Sequence, residues 1–131
     1  MSIAVGIALP LIVGGAATFI GLDRDRALYP VIMIVIASYY ALFALLGGTT
    51  EVLIVESLVA AVFVGLAVVG FKSTLWLVVV ALAAHGIFDS VHPHLYANPG
   101  VPVWWPSFCL AYDVVAAAYL AWLLTSKRVR A

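Results

Sequence analysis

Five apolar runs, each about as long as a bilayer's hydrocarbon core needs, fill this chain and leave only short turns between them. A helix rises about 1.5 Å per residue, so roughly 20 residues cross about 30 Å of hydrocarbon. The fold class that follows is all-α, a polytopic transmembrane helical bundle of five spans. Composition agrees: 66% of the 131 residues are hydrophobic and 9% are charged, and a soluble domain of that size could not hide so much apolar surface.

The spans are expected at about 2–22, 28–46, 52–71, 75–92 and 108–124, within a single domain covering 1–131. The first ends at the charged turn Asp23-Arg24-Asp25-Arg26 and carries Gly6, Gly14, Gly15, Ala17 and Gly21, small residues that let helices approach closely. The second opens beside Tyr29-Pro30 and closes at Gly47-Gly48. The third holds Glu56 a little over one turn inside and the small pair Ala61/Gly65 further along. The fourth is expected to stop at His92, because a residue before proline is pushed away from helical geometry. His94 to Ser107 then reads as a stiff loop containing Pro99, Pro102, Pro106 and the pair Trp104-Trp105.

Charge placement gives an orientation. With the N-terminus outside, Arg24, Arg26, Lys72, Lys127, Arg128 and Arg130 all fall on the cytoplasmic side, as the positive-inside rule asks. The C-terminus is then cytoplasmic, and Tyr29, Trp76 and Trp122 lie near the inner interface. Net charge is zero and no block of Lys or Arg stands out, which argues against nucleic acid as a partner. The first run lacks a basic n-region and is long for a signal peptide, so it is read as a retained span. Cys109 is the only cysteine and makes no intramolecular disulfide.

Inside the fourth run, LAAHGIFDSVHPH sets His85, Asp89 and His92 at spacings of four and three, on one helical face. Ionisable groups at that depth are expensive and mark a candidate site by default. At 1.5 Å per residue, Glu56 lies about 6 Å inside its span, Asp113 about 8 Å inside its own, and His85 about 10 Å below His92. All share the outward half of the bundle. No Lys or Arg lies within a span to neutralise Glu56, Asp89 and Asp113, and a buried carboxylate must be paired, protonated or bound to a cation. Histidine beside carboxylate is a first shell for zinc and for non-haem iron. His85, Asp89, His92 and Asp113 are therefore the candidate metal ligands, for a divalent ion with zinc first and iron second. Glu56 is the candidate general base.

Each residue also has a plainer reading. Asp89 could fix the His85 tautomer and do nothing more. Glu56 and Asp113 could be protonated acids bridging helices, and His92 and His94 could face outer water. Cys109, one turn from Asp113, is a soft ligand or a small packing residue. Tyr39 and Tyr40 need a partner for at least one hydroxyl, and Trp104-Trp105 belong to an interfacial belt or form a lid over the cluster.

HExxH, GxSxG, a Gly-rich phosphate loop and CxxC are all absent. The stretch His85-Gly-Ile-Phe-Asp89 through Trp104-Trp105-Pro106 resembles an uncharacterised family of small bacterial multi-pass integral membrane proteins, over essentially the whole chain. That resemblance implies a bacterial cytoplasmic (inner) membrane and brings no activity with it. The HxxxD element with further histidines is more faintly similar to membrane metal hydrolases such as the alkaline ceramidases, which are longer and rely on a serine and histidines not matched here. The leading expectation is a metal-dependent membrane hydrolase acting on a lipid-like substrate that enters from the bilayer. A cation or proton relay, or an accessory subunit packed by its small-residue faces against a larger complex or a second copy, are the alternatives.

Overall fold

The computed structural model describes every residue from Met1 to Ala131, and all of its regular structure is helical. Helix α1 spans Ser2–Ile20, α2 Leu28–Gly47, α3 Thr50–Lys72, α4 Trp76–Leu95 and α5 Trp105–Thr125, with one 3-10 turn at Leu22–Arg24. All five are long and apolar enough to cross a membrane. Alternating directions bring the N-terminus, the α2–α3 turn and the α4–α5 loop to one end, here the loop end. The basic residues and the C-terminus gather at the other.

Local chemistry sets most of the boundaries. Gly21 stops α1 in a left-handed conformation, φ 92°, and its N–H bonds the Ala17 carbonyl at 2.8 Å. Thr49 caps α3 by accepting from the Val52 N–H at 3.3 Å, with Glu51 in the first turn and Lys72 in the last, as the helix dipole favours.

Two boundaries depart from expectation. α4 does not stop at His92 but runs through Pro93 to Leu95. His92, just before the proline, and Tyr96, the residue that ends the helix, are both tied to the Glu56 carboxylate, so tertiary bonds outweigh the local bias. α5 starts at Trp105, three residues before the expected Phe108, because Pro106 sits in its first turn, where a missing N–H costs nothing.

Between lipid-exposed helices there is no hydrophobic driving force, so packing and polar contacts decide the arrangement. α1 packs on α5, α5 on α4, α4 on α3 and α3 on α2, while α1 and α2 hardly touch despite being consecutive. Gly6 is what lets α1 close on α5: a Cβ there would lie 2.5 Å from the Phe108 carbonyl oxygen. The Ala61/Gly65 pair, by contrast, faces open space.

The two halves of the bundle differ in chemistry. Near the basic end, Met33, Ala67, Val78, Ala81, Leu82 and Leu120 are fully buried and wholly apolar. The Asp23–Arg26 turn is not simply solvated: Asp23 is buried and accepts from the Thr18 hydroxyl, which also meets the Tyr119 hydroxyl at 2.9 Å. Arg26 donates to the Phe71 carbonyl at 2.9 Å and to the backbone of Ala131, tying the tail to the end of α3. The half nearer the loops holds the buried polar side chains.

Candidate functional site

Two clusters form, and Tyr40 joins them. The deeper one combines His85 and Asp89 of α4 with Asp113 of α5, and all three are at most 1% exposed. His85 Nδ1 lies 2.7 Å from Asp113 Oδ2 and 3.4 Å from Asp89 Oδ2. The i, i+4 spacing puts His85 and Asp89 on one face. Gly86, next to His85, lets α5 bring Asp113 in; a Cβ there would already press on Asp113 Cβ and the Leu110 carbonyl at 3.3 and 3.4 Å. From α2, the Tyr40 hydroxyl donates to Asp89 Oδ1 at 2.7 Å. Phe63 stands edge-on to the His85 ring with centroids 4.8 Å apart, which keeps the pocket dry.

That cluster is short of donors. Asp89 Oδ2 and Asp113 Oδ1 are buried without any hydrogen-bond partner. The only Lys or Arg on the five helices is Lys72, in the last turn of α3 at the basic end, so two aspartates share one imidazole and one phenol. One ligand atom from each of His85, Asp89 and Asp113 falls within 4.8 Å of the others, a spacing that one ion can bridge.

The second cluster is saturated. Glu56 of α3 meets His92 Nε2 at 2.7 Å through Oε1, accepts from Asn98 Nδ2 at 2.8 Å on the same oxygen, and accepts from the Tyr96 hydroxyl at 2.8 Å on Oε2. Asn98 Nδ2 also reaches the Tyr40 carbonyl at 3.2 Å, while Asn98 Oδ1 accepts from the Gly100 N–H. His92 stacks on the Tyr40 ring with centroids 4.0 Å apart. Tyr40 thus touches both clusters through its ring, hydroxyl and carbonyl. Tyr96 lies outside the spans, and burial, followed by its bond to Glu56, pushes its phenol above the usual range, so it remains a donor.

The five candidate residues are therefore divided. His85, Asp89 and Asp113 converge, while His92 and Glu56 pair with each other one layer nearer the loops. A single ion held by His85 and His92 together is not the arrangement found. Cys109 is buried one turn before Asp113 on α5 but stands outside the three-residue group. His94 is exposed. Trp105 packs on Tyr39 and Phe43, at 4.9 Å from each, and its aromatic neighbours include neither histidine of the clusters.

Asn98 and Tyr96 were the functional neighbours that spacing could not supply. Asn98-Pro99-Gly100 reads as a turn, and Asn98 does bond the backbone two residues on. That its amide also plugs into a membrane-buried carboxylate has no local signal. Compared with protein-family models, with curated proteins and with solved structures, the chain finds no match.

Proposed function

We propose that this is an integral membrane protein that holds a divalent metal ion between His85, Asp89 and Asp113, zinc first and iron second, and uses it to hydrolyse an ester or amide bond in a lipid-like amphiphile. One observation carries the reading. Of two buried aspartate oxygens, Asp113 Oδ1 has no donor at all and Asp89 Oδ2 has only the His85 Nδ1, 3.4 Å away and already bonded to Asp113 Oδ2, with no Lys or Arg in the cluster. A buried carboxylate left so is costly unless a cation or a proton compensates it. One imidazole with two carboxylates is a donor set suited to zinc or iron.

A bound ion would supply Lewis-acid activation of water and of the carbonyl under attack. The chain's own groups do the rest. Tyr40 holds Asp89 by Oδ1 and leaves Oδ2 turned toward His85, 3.4 Å from its Nδ1. Asp113 Oδ1, without another partner, is the atom assigned to accept a proton. Phe63 packs edge-on against the His85 ring and fixes its position from α3. Glu56, the candidate base, is committed to three donors, and here it anchors His92 and the loop over the site.

Elemental mass spectrometry on the purified protein tests the metal, after incubation with zinc or iron and removal of the excess. Near-stoichiometric metal is expected in the wild type and loss in His85→Ala and Asp113→Asn. Metal-free wild type, or equal metal in the variants, overturns the centre. No hydrolysis of ester or amide amphiphiles by the loaded protein would remove the reaction while leaving the ion.

A relay is the second reading, favoured by the Glu56–His92 pair and Asp89 both lying against Tyr40, where the step from His92 to Tyr40 is a ring stack that a water would have to bridge. It ends halfway, at the apolar layer of Met33, Ala81, Leu82 and Leu120. Proton or cation flux into liposomes that Glu56→Gln abolishes would establish the relay over the hydrolase.

A further inference from the structure

Where α1 and α2 fail to meet, a groove of about 940 Å³ opens between them, floored by α5. Val5 and Leu9 form one wall, Val31 and Val35 the other, and Cys109 and Tyr112 the floor. Tyr39 and Trp105, packed together, stand at the end nearest the loops. From there to Val31 on α2, or from Trp105 to Tyr112 on α5, the groove runs about 10–12 Å along the helices.

Three properties identify what fills it. Thirteen of the fourteen lining residues are hydrophobic; the polar atoms among them are the Ser2 hydroxyl, bonded to Ser107, the phenols of Tyr39 and Tyr112, and the buried, unpartnered Trp105 Nε1, and the rest of the lining is hydrocarbon or aromatic face. Val5, Val31 and Val35 are 48%, 52% and 47% exposed, so the walls run directly into the surface that the bilayer covers, and hydrocarbon is the medium at the mouth. The volume lies within the roughly 300–1,000 Å³ of ligand sites and far above that of packing voids. The floor residue Cys109 lies one helical turn before Asp113 on α5, and His85, Asp89 and Asp113 themselves do not line the groove. Likewise Tyr39 faces the groove while its neighbour Tyr40 holds Asp89.

We infer that the groove between α1, α2 and α5 seats one hydrocarbon tail of a membrane lipid or lipid-like amphiphile, presenting that molecule to the His85–Asp89–Asp113 cluster behind Cys109. The seat stands on the groove alone; that its occupant is the substrate rests on the metal centre proposed above.

The test uses the full chain in phosphatidylcholine vesicles containing a trace of phosphatidylcholine with a diazirine in one acyl chain. After irradiation, adducts are mapped by peptide mass spectrometry. Adducts concentrated on Val5, Leu9, Val35 and Tyr39 are expected, and their loss when the groove is filled by Val5→Phe with Val35→Phe. Both positions are half exposed, so either single substitution serves if the pair does not purify. Val62→Phe, on the lipid-facing surface of α3, should leave the pattern unchanged. Adducts spread evenly over Ile12, Leu45, Val62 and Ile87, or undiminished in the filled variants, overturn the seat. So does a dimer whose groove residues go unlabelled, since a second copy would then be the occupant. Metal content measured on the same samples separates the two readings: groove labelling without metal leaves the seat and removes the centre, and metal with diffuse labelling does the reverse.

Discussion

Tyr39 and Tyr40 are adjacent in sequence and opposite in chemistry. Tyr40 is buried with its hydroxyl on Asp89, whereas Tyr39 is half-buried against Trp105. Removing a partner that orients a metal ligand typically lowers metal affinity by about 10–100-fold. Tyr40→Phe should weaken zinc binding by about that factor and Tyr39→Phe should leave it unchanged, as competition with a chelator would show. The stability loss in Tyr40→Phe lies between about 0.6 kcal/mol, the mean for polar contacts in membrane helices, and about 3 kcal/mol, the upper range for bonds to charged groups. Tyr96 makes a pH prediction. Its phenol is raised by burial and by Glu56 relative to about 10 in an unfolded chain. The neutral form is the one the fold favours, so its contribution is full below pH about 10 and declines as pH rises further. Thermal unfolding in detergent should therefore show a steeper alkaline loss for wild type than for Tyr96→Phe; parallel curves would contradict the bond.

At the scale of helices, contacts that no single helix encodes decide where each one ends and what it touches. α1 meets α5 over Gly6, and a side chain there collides with the Phe108 carbonyl and Ala111. Overpacking of that kind costs about 1–3 kcal/mol. Gly6→Val should lower resistance to unfolding by SDS by that amount, while Gly65→Val, which meets nothing, should not. Equal effects would mean that Gly65 packs against another copy. The end of α4 depends on Glu56, which holds His92 just before Pro93 and Tyr96 at the helix end. Hydrogen exchange at Val91 and Leu95 should accelerate in Glu56→Ala and stay slow at Val78, within the packed apolar layer.

Across the whole molecule, the division into a dry half and a polar half limits what the bundle can do. A layer of fully buried apolar side chains, Met33, Ala81, Leu82 and Leu120 among them, lies between the clusters and the basic end, so the clusters sit nearer the loop end of the bundle. The basic residues gather at one end, and the orientation expected from the positive-inside rule, with that end cytoplasmic, can be tested directly. Val103 is fully exposed in the α4–α5 loop. A cysteine placed there should react with a membrane-impermeant maleimide from outside intact cells, and reaction only after lysis would invert the orientation.

Hydrophobic runs and turn residues were enough to determine five helices, their alternation and the half of the bundle in which ionisable groups collect, because span length and side-chain polarity are local properties. The convergence of His85 with Asp89 was legible for the same reason, being one helical turn. The arrival of Asp113 from α5 and Tyr40 from α2, the capture of His92 by Glu56, and the wedge of Asn98 beneath the loop were not. Those depend on how helices rotate and approach, and between helices in lipid that is decided by close packing at residues such as Gly6 and Gly86 and by the pairing of buried polar groups, which exist only once the bundle has formed.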